Sequence, residues 1–334
     1  MMEAVNEWKR LLHARKWMKQ NASFLPAWHA YVGYSMDLFD AFADGATVEQ
    51  IAEAQELDEE LLSNWVDTGI VLGHLHEREG RIHADKEMLT YVSDSSTHSV
   101  GPLLREMMEM HIPTLLEFPR LMKGEHRPMF ENERYGSTVA ATSSLLERIA
   151  FPRVSNWVRL NRARSVLDIG CGHGGYLRRL SQKIRGLRLI GIEQNEDVVK
   201  QARTGLQSAT GCKIEFVHGD FSRWEGPKEP VDLIMMNNIL HYFHPDTRGL
   251  LFERARELLS DKGSVSLITP LYMSGSGQAF SAAFNSYMSA HDNLHGFPTD
   301  RELEETASAH GLVVKRRQPV IREGSWYFVG LQKR

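Results

Sequence analysis

Residues 165–177 read SVLDIGCGHGGYL. A short apolar, β-branched run ends at Asp168, and four glycines follow within residues 170–175. Glycine is needed where a chain turns sharply and where a ligand must approach the backbone with no Cβ atom in the way. The stretch YLRRLSQKI continues as a helix, whose start offers free N–H groups. Strand, glycine turn and helix in that order make this segment the opening unit of a ligand-binding α/β domain. Gly170, Gly172 and Gly175 also satisfy GxGxxG, a pattern that alone does not choose between dinucleotides and other nucleoside ligands.

Outward from this unit the alternation continues. LRLIGIE reads as a second strand, EDVVKQARTGL as a helix, KIEFVHGD as a strand, and VDLIMMNNIL as a strand with almost no polar interruption. A helix over residues 247–259, the strand GSVSLITP, the helix DRELEETASAHG and two closing strands, LVVKRRQPV and SWYFVGLQK, complete the pattern. Apolar strands separated by helices imply a mainly parallel, Rossmann-like doubly wound sheet of seven strands covered on both faces. The last two strands have no helix between them and are expected to form an antiparallel hairpin. Residues 271–298 exceed a normal connection and are rich in Ser, Gly, His and aromatics, as functional loops or lids are.

Before residue 160 the pattern is helical. Thr47 with Gln50 forms a capping box for TVEQIAEAQ, and Asp58 caps DEELLSNWVDTGIVLG. LHEREGRIHAD follows, with Glu79-Gly80 as a hairpin turn, so the order is helix, helix, wing. SVGPLLREMMEMHIPTLLEFPRLM reads as a longer helix interrupted at Pro113 and Pro119. Residues 137–160 read as a helix broken at Pro152. The expected organisation is a helical, winged-helix-like domain over residues 1–155 and an α/β domain over residues 156–334.

Three positions along the strand ends define the ligand. Asp168 lies two residues before the first glycine, where a carboxylate faces an ammonium group rather than a pyrophosphate. Glu193 ends the second strand about twenty residues on, where an acid binds both ribose hydroxyls. Gly219-Asp220-Phe221 ends the third strand, where an acid reads an adenine edge and the ring stacks on it. An amino acid, a ribose and an adenine without phosphate describe S-adenosylmethionine.

With these residues in place, SVLDIGCGHGGYL resembles motif I of the class I S-adenosylmethionine-dependent methyltransferases. Glu193, Asp220 and Asn237-Asn238 stand at the later motif positions. The helical start and NNILHYFHPDTRGLLFERARELL are similar to the small-molecule O-methyltransferases of plants and bacteria. That resemblance implies an N-terminal domain that dimerises, a homodimer, and a small, aromatic or planar acceptor. It assigns cofactor contacts to Asp168, Gly170, Gly172, Glu193, Gly219, Asp220, Phe221 and Asn237. In that group the corresponding segment reads ILHDWPDE and its histidine is the general base, which places the catalytic role on His241. Here Tyr242-Phe243 replaces Asp-Trp. Methyl transfer from a sulfonium chiefly requires alignment of the nucleophile, and an imidazole near pKa 6.5 accepts the proton of a hydroxyl acceptor.

Other readings attach to the same residues. C-methyltransferases of this architecture that act on 2-keto acids hold non-haem iron through a histidine at the His241 position and another from a His-Asp pair. His291-Asp292 supplies that pair here, so His241 and His291 are the candidate metal ligands of the alternative, with no third ligand identified. His244 and His295 are further histidines of the region. Met107, Met108, Met110, Met235, Met236, Met273 and Met288 either line an adaptable pocket or fill the core. Cys171, between two glycines, is there for its size. The wing suggests a ligand-sensing regulator on DNA, but its second helix is acidic where a recognition helix should be basic.

Composition narrows the classes. The 334 residues are 42% hydrophobic and 25% charged, within globular values and long enough for two domains. Lys plus Arg number 39 against 43 Asp plus Glu, a formal charge of −4 that favours neither nucleic acid nor a membrane surface. Two cysteines, Cys171 and Cys212, exclude a disulfide framework. No signal-like or spanning apolar stretch occurs, so the expectation is a cytoplasmic protein. Exposed apolar groups among Trp8, Leu11, Leu12, Trp17, Leu25 and Trp28 would require a partner surface.

Overall fold

The computed structural model describes residues 2–204 and 214–334. Cys212, the last residues of the helix read at EDVVKQARTGL and the first of the strand read at KIEFVHGD lie outside the described residues. The chain forms two compact units, residues 1–113 with 137–142, and residues 114–136 with 143–334.

The first unit is helical apart from one hairpin. It contains α1 (Met2–Asn21), α2 (Phe24–Ser35), α3 (Leu38–Ala41), α4 (Val48–Gln55), α5 (Glu59–Leu72), β1 (Leu75–Arg78), β2 (Arg81–Ala84), α6 (Lys86–Tyr91) and α7 (Gly101–Glu106). Both halves of the Thr47–Gln50 capping box form, and the Asp58 carboxylate accepts from Leu61 N at 2.9 Å. Glu79 and Gly80 both take positive φ, 53° and 70°, which is the turn a two-residue hairpin demands. Phe39, Phe42, Trp65, Leu38 and Leu75 fill its core. Trp28 packs partly buried against that core, so it does not belong to the exposed apolar group expected from the sequence.

The stretch read as one interrupted helix splits further. After α7 comes a π-helical turn, Met107–His111, then α8 (Ile112–Leu116) and α9 (Phe118–Leu121). Pro113 cannot donate to the carbonyl of Glu109, and the wider turn just before it takes up the mismatch.

The second unit carries α10 (Asn132–Leu160) apart from residues 137–142, then β3 (Ser165–Ile169), α11 (Gly175–Lys183), β4 (Arg188–Glu193), α12 (Glu196–Thr204), β5 (Ile214–His218), β6 (Val231–Asn237), α13 (Arg248–Leu258), β7 (Leu259–Pro270), α14 (Gln278–Ser289), α15 (Asp300–Ala309), β8 (Leu312–Ile321) and β9 (Trp326–Lys333). The sheet order is β5-β4-β3-β6-β7-β9-β8. β9 runs antiparallel to both β7 and β8, and the remaining pairs are parallel. The expected seven-stranded sheet with a terminal hairpin is therefore the fold. The strand order reverses between β3 and β6, which places the ligand crevice at the carboxyl ends of those strands.

One expectation fails. Pro152 lies inside α10, and the helix runs through it. Losing a helical hydrogen bond and accommodating the ring costs about 3 kcal/mol. Ala150, Phe151, Val154, Trp157 and Val158 are all buried in one core cluster with Leu233, Met235 and Phe328, and burying several such side chains offsets that cost.

Candidate active site

Asp168 is the fourth residue of β3, a strand buried at every position. Its carboxylate is 2% exposed and makes no hydrogen bond among the described residues. Burial, with Glu147 and Glu193 adding like charge, raises its pKa well above the ordinary carboxylate value. The chain then turns through Gly170, Gly172 and Gly174, all at positive φ. The space over Gly172 is open, with no atom within 4 Å of where a Cβ would sit. Only glycine leaves the backbone this bare for a ligand.

Glu193 ends β4 and closes the loop. Its Oε2 accepts from Gly172 N at 3.0 Å and its Oε1 from Asn195 N at 3.1 Å. Gly219 N in turn donates to the Glu193 carbonyl at 3.0 Å, tying the end of β5 to that of β4. Asp220 Oδ1 accepts from both the backbone and the hydroxyl of Ser222, which lowers its pKa. Phe221, expected at a ligand's face, has its ring 6% exposed within a core cluster. Asn237 ends β6 with both side-chain polar atoms buried and without a partner among the described residues. Asp168, Glu193, Asp220 and Asn237 thus stand at four neighbouring strand ends. Cys171 is buried against Gly191, and burial pushes its thiol out of the reactive range.

His241 lies in a 3₁₀ turn, Leu240–Tyr242, just past β6. It is 7% exposed and its Nδ1 is buried with no hydrogen-bond partner among the described residues. Burial, and secondarily the Arg248 guanidinium, lowers its pKa from 6.5 to about 3. The imidazole packs on Tyr242 and Phe297. Among the described residues no carboxylate is hydrogen-bonded to it.

The long 271–298 connection is not an open loop. Its centre forms α14, and its end is bound to the segment before α10. Asn293 Oδ1 accepts from Phe130 N at 2.7 Å, and Asp292 N donates to the Pro128 carbonyl at 3.1 Å. Rings of Phe297, Phe284, Tyr287 and His291 follow one another at centroid distances of 4.9 to 6.2 Å. His291 is buried and its Nδ1 engages the Tyr287 carbonyl at 2.9 Å.

Asp292 turns toward His126 at 3.6 Å, and no group of three or more His, Cys, Asp or Glu side chains among the described residues is arranged to hold a metal ion. Met235 and Met236 fill the two core clusters on opposite faces of the sheet, so neither lines a pocket. Met273 is exposed.

Sequence reasoning missed two residues. Glu147 of α10 accepts from Arg179 Nε at 2.6 Å and lies against Gly175. Arg248, at the start of α13, is 7% exposed and holds two backbone carbonyls near His241. Nothing in the spacing of either residue announces the contact.

Fold and strand-end residues together define a nucleoside-binding α/β domain with an acid-rich crevice. Residues 166–263 match the family model described as a methyltransferase domain. Over that stretch, under a third of its length, the chain is similar to a methyltransferase domain. It is 26% identical over 170 residues to a trans-aconitate 2-methyltransferase of Rhizobium etli, covering 51% of this chain and 57% of that one. Identity to a 3-amino-4-hydroxybenzoate 4-O-methyltransferase of Streptomyces cremeus is 23% over 126 residues, 38% of this chain and 34% of the relative. The chain thus matches a third to just over half the length of these curated relatives. An O-methyltransferase family structure from Burkholderia thailandensis shares the fold over 96% of this chain and 98% of its own, with a TM-score of 0.80 at 19% identity.

Proposed function

We propose that the protein transfers the methyl group of S-adenosylmethionine to a small, planar or aromatic acceptor, with oxygen as the acceptor atom and His241 as general base. The observation that carries the cofactor half is Asp168: a buried carboxylate with no hydrogen bond, beside an open glycine backbone, is built to receive a ligand cation. Gly170, Gly172, Glu193, Gly219, Asp220 and Asn237 complete that contact set, with Phe221 supporting it from the core. His241 supports the acceptor half, because a buried imidazole that stays neutral at pH 7 is ready to take a hydroxyl proton. Its depressed pKa makes it a weak base, which suits an acidic hydroxyl better than an aliphatic one.

The same reading makes the protein a cytoplasmic homodimer, with residues 1–155 as its dimerisation and capping domain and residues 156–334 as its catalytic domain. Trp8, Leu11, Leu12 and Trp17 of α1 are 46 to 65% exposed, an apolar face that a second copy would cover. No helix among the described residues is long and apolar enough to cross a membrane.

The test is calorimetry with S-adenosylhomocysteine followed by transfer of a labelled methyl group to a panel of phenolic and carboxylic acceptors. His241→Asn should retain cofactor binding and lose turnover by about 10²–10⁴-fold. Binding of NADH without S-adenosylhomocysteine would overturn the cofactor reading. A product methylated on carbon would overturn the oxygen reading.

A further inference from the structure

We propose that Glu147 is a second carboxylate for the α-ammonium group of the bound cofactor, acting with Asp168 to select ligands that carry the amino-acid end. The inference rests on the cofactor reading above.

Glu147 lies on α10, outside the strand-end positions that define the crevice. Its side chain is 14% exposed. One oxygen is held by Arg179 Nε at 2.6 Å. The other lies over Gly175, the first residue of α11, so closely that a Cβ there would collide with it. The missing side chain at Gly175 therefore serves Glu147: it lets a carboxylate from another helix settle on the start of α11. Glu147 and Asp168 lie within electrostatic reach of each other, and Tyr176, the second residue of α11, lies within reach of both.

The charge balance there is uneven. Among the described residues Arg179 is hydrogen-bonded to one Glu147 oxygen, with Arg178 and Arg148 within electrostatic reach, and Asp168, more than nine-tenths buried, has no hydrogen-bond partner. Glu193 adds a third carboxylate, already engaged by Gly172 N and Asn195 N. Burial raises the pKa of both Glu147 and Asp168, on Glu147 against the lowering pull of Arg179, Arg178 and Arg148. A cation of ammonium size between them would relieve the repulsion and supply Asp168 with its missing donor. The ribose end of the ligand, at Glu193 and Asp220, needs no such group.

The experiment compares two ligands that differ only at that end, S-adenosylhomocysteine and 5′-methylthioadenosine, on the full-length protein by calorimetry. Glu147→Gln should weaken S-adenosylhomocysteine by about 10- to 100-fold, the range for a hydrogen bond to a charged group, and leave 5′-methylthioadenosine unchanged. Arg179→Met, which removes the ion pair but keeps the carboxylate, should leave the preference for S-adenosylhomocysteine in place. If Glu147→Gln weakens both ligands equally, or neither, or if Arg179→Met erases the same preference, Glu147 only fastens α10 to α11 and the proposal is overturned. Wild-type protein that binds neither ligand would instead remove the cofactor reading on which it stands.

Discussion

Arg248 holds the backbone of the turn that presents His241: its Nε donates to the Leu240 carbonyl at 3.0 Å. Its terminal amino group donates to the Gly296 carbonyl, and His295 N donates to the His241 carbonyl at 2.8 Å. One buried guanidinium therefore fastens the 3₁₀ turn and the end of the 271–298 insertion to the same point. A planar fork reaches two carbonyls that an ammonium cannot reach together.

Arg248→Lys should keep the charge and lose this geometry. Each carbonyl left unsatisfied costs about 1–3 kcal/mol, so urea denaturation should show a clear loss of stability. Turnover should fall while affinity for S-adenosylhomocysteine stays at the wild-type level, because the cofactor contacts lie on other strand ends. A parallel loss of both would mean that Arg248 supports the whole domain rather than His241.

Asp168 makes a prediction about protons. Its pKa is raised in the free protein, chiefly by burial and then by Glu147 and Glu193, so the carboxyl holds a proton at a pH where an exposed one would not. An ammonium group beside it favours the ionised form. Binding of S-adenosylhomocysteine should then release protons, and the calorimetric enthalpy should vary with the ionisation enthalpy of the buffer. Asp168→Asn should reduce that dependence, leaving only what Glu147 contributes. An enthalpy identical in all buffers for the wild type would show that Asp168 is already ionised.

The parts of the fold and site that could be read in the sequence are those fixed by local chemistry. Gly170, Gly172 and Gly174 are needed where φ is positive, Thr47 and Gln50 satisfy each other's helix end, and the apolar strands admit no other sheet class. Pro152 misled because its local cost is outweighed by contacts with Leu233 and Phe328, far away in the chain. Phe221 misled for a similar reason: its ring contributes more as core than as a face offered to a ligand. Glu147 and Arg248 were invisible because their roles depend on Gly175 and on the Leu240 and Gly296 carbonyls. Those partnerships exist only once the sheet has assembled.

The exposed face of α1 predicts association. Trp8 and Trp17 are 60% and 65% exposed, and an apolar surface of this kind on a helix favours a partner. Light scattering at micromolar concentration should report twice the 38.1 kDa chain mass. Trp8→Glu combined with Leu12→Glu should shift the protein to a single chain without unfolding it, since neither side chain is in the core. A wild-type particle of one chain mass would remove the dimer.

The first unit should be sensitive to acid through His29. This residue is fully buried and stacks on Trp65 at 4.2 Å with an interplanar angle of 7°. Its Nε2 engages the Trp65 carbonyl at 3.1 Å and its Nδ1 meets His74 Nδ1 at 3.0 Å. Two nitrogens facing each other share one hydrogen, and a second proton has no acceptor there. Burial first, then His74, lowers the His29 pKa from 6.5 to about 4. The folded state therefore binds fewer protons than the unfolded chain between those values. The stability this provides is fully present above pH 6.5 and is lost as pH falls toward 4. The loss should be on the order of 3 kcal/mol. His29→Gln should lower stability at pH 7.5 yet flatten its decline between pH 6.5 and 4.5, measured by urea denaturation followed by circular dichroism. An unchanged slope in the variant would assign the acid sensitivity to other groups.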